Sequence, residues 1–158
     1  MKKVIIFFPI VDFLLGLIIS FFCKTELFFF ETEEIVITTI PYIFFNNLKV
    51  IISNISGIVT FGITTIVNIF LTAFVLGIHI KRTIELGFDV YYVLFHTLPH
   101  FTEYIAIFIS GYLGLSGYEL ILTRKINRQI VIRKIILFLI TIPLLYFAAV
   151  MEVKFAIN

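Results

Sequence analysis

Between residues 35 and 80 the chain carries a single charge, Lys49, and that run decides what the molecule can fold into. Wound as one α-helix at about 1.5 Å per residue, it would reach about 69 Å, more than twice the ~30 Å hydrocarbon thickness of a bilayer. It must fold back on itself. Gly57 and Gly62 bracket the natural break, which predicts spans over residues 43–61 and 63–80. A tight apolar turn between them has to satisfy its own backbone groups or bury them in protein.

The rest of the chain reads the same way. Hydrophobic residues make up 61% and charged residues 14%, against roughly 45–50% and about 25% in soluble domains. A soluble fold would have nowhere to bury that much apolar surface. Further spans are expected over residues 4–22, 101–120 and 135–151. Together they make an all-α, polytopic bundle of about five transmembrane helices, a single integral membrane domain over residues 1–158. Residues 23–34, with Lys24, Glu26, Glu31, Glu33 and Glu34, read as an external loop whose Phe28, Phe29 and Phe30 dip into the interface. Pro99 cannot donate a backbone hydrogen bond and disfavours helix at Leu98, so residues 90–100 read as a short, proline-broken re-entrant or interfacial piece.

Arg124, Lys125, Arg128, Arg133 and Lys134, with Ile126, Ile130 and Val131 between them, have the pattern of a basic amphipathic helix on anionic lipid. Placing this cluster and Lys2/Lys3 together on the cytoplasmic side requires an even number of spans between them. Four intervene. The N-terminus is therefore expected in the cytoplasm and the C-terminus outside. Lys2 and Lys3 ahead of an apolar run also imitate a signal peptide, but no A-x-A-like cleavage site follows, and the first segment is expected to stay as an anchor. The formal charge of +2 argues against nucleic acid as a partner. Cys23 is alone, so no intrachain disulfide forms, and the bulky Phe21 and Phe22 before it argue against lipid attachment.

Charges near mid-bilayer cost about 2.5–3.5 kcal/mol on insertion scales, so each wants a partner or a watery cavity. Asp12 and Lys49 fall at similar depths, and an ion pair between their helices is expected, more plausibly as a packing clamp than as a relay. Asn47 and Asn68 belong to a set of small polar residues, with Ser53, Asn54, Thr64 and Thr65, that lets helices approach and hydrogen-bond. His96, His100 and Glu103 are spaced i, i+4 and i+7, one helical face if the helix continues through Pro99. Two imidazoles and a carboxylate form a ligand set for zinc or iron, and His100 and Glu103 are the candidate catalytic pair. Interfacial histidines are more often simply hydrogen-bonded. His79 and Glu152 fall near the same outer end, so all five groups can share the outer leaflet, with Glu152 as an optional further member of the metal set. No Gly-rich phosphate loop or G-x-S-x-G serine occurs, so neither ATP hydrolysis nor serine chemistry is supported. No organic cofactor is expected, and a non-enzymatic role is favoured over a catalytic one.

These residues sit in a pattern that resembles the stage II sporulation protein M family of bacterial membrane proteins, from about Phe44 to Glu152. Its pieces are FNNLKV at the second span, Gly57, Asn68 and Gly77, then LPHFTE running on to GYLGL, and AAVME closing the last span. The resemblance carries the family's polar positions onto Asn47, Asn68, Pro99, His100, Glu103 and Glu152. This chain departs from the pattern in having Phe101 after the histidine, two residues between His100 and Glu103, and Ile69 after Asn68.

The resemblance implies a membrane partner protein. The family includes a scaffold for peptidoglycan-remodelling enzymes in engulfment, and short relatives encoded beside circular bacteriocins. The absence of a sizeable soluble domain suits the second branch, with a role in maturation or secretion of, or immunity to, a hydrophobic peptide. The implied partners are the lipid bilayer, that peptide, and other membrane proteins such as a transporter or a wall hydrolase. An intramembrane metal-dependent enzyme and a sporulation scaffold are the alternatives.

Overall fold

A computed structural model describes residues 2–25, 39–123 and 128–157, and among these every regular element is helical. Six α-helices follow in order: α1 (Lys2–Phe22), α2 (Ile40–Ile55), α3 (Ile63–Glu85), α4 (Val90–Thr97), α5 (Phe101–Thr123) and α6 (Arg128–Ile157). The expected external loop lies mostly outside the described residues, as do Arg124 and Lys125.

Local chemistry explains the boundaries. Thr39 caps α2, its hydroxyl accepting from the Tyr42 amide, and Pro41 sits in the first turn, where no N–H is needed. The fold-back falls where the glycines predict it. A 3-10 turn at Ser56–Ile58 leads into Phe61 and Gly62, both with positive φ, of 54° and 87°. The turn satisfies its own backbone: Gly62 N–H donates to Gly57 O at 2.7 Å and Ile63 N–H to Thr60 O at 3.1 Å. Hydroxyls of Ser56, Thr60 and Thr64 bond to one another above it.

The long helices alternate in direction. Gly16 and Gly77 set α1 parallel to α3: a Cβ on Gly16 would stand 2.5 Å from Phe70 O, and one on Gly77 would meet Ser20. Farther along, Lys81 Nζ donates to Cys23 O at 2.6 Å. Asn54 Nδ2 donates to Ser110 Oγ at 3.0 Å and places α2 beside α5, and Lys134 donates to Ser116 O at 3.0 Å, placing α6 antiparallel to α5. Phe13, Ile51, Ile69, Ala73, Ala106, Ile107 and Leu145 meet at the centre, and the Phe13 ring stands edge-on to Tyr104 and Phe108.

One expectation is narrowed and another corrected. Residues 90–97 form a regular helix with only Val93 buried and Tyr91, Leu94 and Phe95 exposed. An exposed apolar helix of this kind matches the interfacial form of the expectation rather than the re-entrant one, and α4 is a surface helix. Pro99 tightens the chain into a 3-10 turn, Leu98–His100, that leads straight into α5. The basic segment, as far as it is described, is no separate amphipathic helix either. Arg128, Arg133 and Lys134 are the opening turns of α6, since no glycine or proline interrupts the chain before Pro143.

The outside of the bundle is apolar. Phe7, Val11, Leu14 and Ile18 on α1, Val67, Leu71 and Val75 on α3, and Ile132, Ile136 and Leu139 on α6 are all exposed, a far larger apolar surface than soluble monomers carry. Among the described residues two helices, Ile63–Glu85 and Arg128–Lys154, are long and apolar enough to cross a bilayer.

Candidate functional site

A cavity of about 680 Å³ lies at the end of the bundle where α2 begins, α3 ends and α4 turns into α5. Its walls are apolar and aromatic, with Ile43, Val75, Leu76, Tyr92 and Val93 among them, and His79, His96, His100, Glu103 and Glu152 all border it.

His100 organises the polar side. It closes the 3-10 turn and Glu103 follows one turn later, on the same face. Its Nδ1 lies 3.2 Å from Glu103 Oε2, with the imidazole N–H donating, and 3.8 Å from Glu152 Oε2. Glu152 arrives from the far end of α6 because α6 runs antiparallel to α5. One ligand atom from each of these three side chains lies within 4.8 Å of the other two. Glu103 is the best shielded, at 13% side-chain exposure, and it occupies the first turn of α5, where the helix dipole favours a carboxylate. The Glu103 hydrogen bond raises the His100 pKa above the ordinary imidazole range; burial opposes this, and the Glu152 charge reinforces it.

His96 stands apart from this triad. Its Nδ1 bonds to the carbonyl of Tyr92, one turn earlier, at 2.9 Å, and its exposed ring stacks on Tyr92 at 3.9 Å. Of the expected set the structure brings His100, Glu103 and Glu152 together and leaves His96 apart. The common face requires an α-helix through Pro99, and the 3-10 turn at Leu98–His100 changes the phase there. Tyr92 also stacks on Phe88 at 4.6 Å, so Phe88, Tyr92 and His96 form an aromatic ladder. The i, i+4 spacing of these three rings is the signal of the ladder in the sequence.

Asn47 lines the cavity, 8% exposed, and its Nδ2 has no hydrogen-bond partner among the described residues. Asn68 serves packing instead, its amide donating to Ser53 Oγ between α3 and α2. The expected Asp12–Lys49 ion pair does not form. Asp12 is buried with Oδ2 unpartnered among the described residues, while Lys49 is exposed. The buried face of α2 is Ile43, Asn47, Ile51 and Asn54, and Lys49, two residues from both Asn47 and Ile51, points the opposite way.

Long apolar helices and an apolar exterior, with polar groups gathered in a cavity at one end, are the features of an α-helical membrane protein. The family model for stage II sporulation protein M matches residues 5–156, and the chain belongs to that family. No curated protein and no solved structure matches it.

Proposed function

We propose that α1, α2, α3, α5 and α6 each cross the bacterial cell membrane, with the N-terminus cytoplasmic and the cavity facing outward, and that the protein is a non-ATPase partner that binds a hydrophobic peptide. The cavity carries this reading. Apolar and aromatic walls with a few convergent polar groups are the common form of a binding site, and such polar groups would meet the amides of an apolar segment leaving the bilayer. Such binding suits maturation, export or self-protection for a circular bacteriocin-like peptide.

Deleting the gene in a strain that makes such a peptide should abolish either mature product or resistance, and Thr72→Trp, which adds bulk to the cavity wall, should reproduce the defect at normal protein levels. Unchanged production and resistance after deletion would remove this reading. A wall-remodelling defect in their place would favour the sporulation scaffold. Single cysteines at Gly87 and Val59, probed with a membrane-impermeant thiol reagent in a Cys23→Ser background, test the topology: Gly87 should react from outside and Val59 only after permeabilisation.

A further inference from the structure

We infer that His100, Glu103 and Glu152 form a site for one divalent transition-metal cation, with open coordination positions turned toward the cavity. The inference rests on the cavity being the working site, as proposed above, but its test requires no peptide.

The distances carry it. Zinc bonds of about 2.0–2.1 Å to nitrogen and oxygen set tetrahedral ligands about 3.4 Å apart. The imidazole nitrogen lies 3.2 Å and 3.8 Å from the two carboxylates, and the whole set falls within 4.8 Å. Small side-chain rotations close the remainder. The charge also fits, because two half-buried carboxylates balance a divalent cation that replaces the proton His100 shares with them. One imidazole among carboxylates suits zinc, iron or manganese better than calcium or magnesium, whose sites are built from oxygen alone.

A second observation points to a ligand in the same cavity. Asn47 is more than nine-tenths buried, lines the wall, and holds an amide N–H that nothing among the described residues accepts. A fourth ligand on the cation, the carboxylate or carbonyl oxygen of a bound molecule, would bring an acceptor into the space Asn47 faces. The three protein ligands come from the α4–α5 turn, α5 and α6, so the cation would also tie α6 to α5.

Full-length protein in detergent, stripped with chelator and titrated with Zn²⁺ and separately with Mn²⁺, should take up about one equivalent of at least one of them. Binding should raise its unfolding midpoint by several degrees. Glu152→Gln and His100→Ala should weaken binding by about tenfold or more, as losses even around a metal site commonly do, while His96→Ala should not. In the Co²⁺-loaded protein, acetate should change the visible spectrum, marking an open position. Folded wild-type protein, judged by helicity and a single elution peak, that takes up less than about a tenth of an equivalent overturns the site. So does undiminished binding in Glu152→Gln. Metal uptake in a protein whose deletion leaves peptide production and resistance intact would separate this inference from the function proposed above.

Discussion

Gly77 on α3 lies against Ser20 on α1 so closely that a methyl group on the glycine would overlap the serine hydroxyl and stand 3.2 Å from the Leu17 carbonyl oxygen. Small residues at such contacts let helix backbones approach in a membrane. Gly77→Val should cost about 1–3 kcal/mol, read as aggregation at lower temperature in detergent. Adding Ser20→Gly should recover part of that loss. A double variant no better than Gly77→Val would show that this contact is not the cause.

Lys81 caps the end of α1. Its ammonium donates to Cys23 O at 2.6 Å and Phe21 O at 3.1 Å and lies 3.8 Å from Glu85, whose carboxylate accepts the Thr25 hydroxyl at 2.8 Å. Lys81→Met should speed amide exchange in the last turn of α1 by about tenfold, a loss of ~1.4 kcal/mol, within the range for a charged hydrogen bond. Lys81→Arg should keep most of the protection. Equal exchange in the methionine variant would mean the cap contributes nothing.

The seam between α2, α3 and α5 is hydrogen-bonded rather than greasy. The Thr65 hydroxyl donates to Asn54 O at 2.6 Å, and Asn54 Nδ2 donates to Ser110 Oγ at 3.0 Å. Thr65→Val and Ser110→Ala should each cost about 0.6–1 kcal/mol in denaturant titration, the modest value typical of such bonds in membranes. Gly114→Ala should cost more than either, because its methyl would press on the Asn54 carbonyl and the Thr65 hydroxyl.

Asp12 and Lys49 should behave as strangers. Asp12→Asn and Lys49→Gln, alone and together, should give a coupling below about 0.5 kcal/mol, the margin for sites that share no partner. Larger coupling in a stability assay would return them to contact.

Where backbone chemistry dominates, the sequence was a good guide. Gly57 and Gly62 mark the fold-back because Gly62 must adopt positive φ, and the apolar runs mark the long helices because helices and closed barrels alone hide their polar backbone in lipid. Rotation about a helix axis was harder to read. Asp12 and Lys49 share a depth, but Lys49 stands on the face of α2 opposite Asn47 and so turns away from the bundle. The start of α2 lay three residues earlier than the apolar pattern suggested, although Thr39 and Pro41 announced it. Glu152 joins His100 through the packing of α6 on α5, which no local spacing encodes. The pairing of α1 with α3 was equally hidden, because lipid-facing and protein-facing surfaces are alike apolar and only small residues such as Gly16 distinguish them.

The parallel pairing of α1 with α3 sets an order of assembly. The first helix emerges from the ribosome long before its partner, with Asp12 and the bare backbone at Gly16 still unsheltered. With the spans as proposed above, the second and third, joined by a self-satisfied turn, would enter the bilayer as one hairpin and then dock against the waiting helix. A chain truncated after α2 would leave α1 with no surface to receive it, so quality control should recognise and degrade such fragments sooner than one that ends after α3.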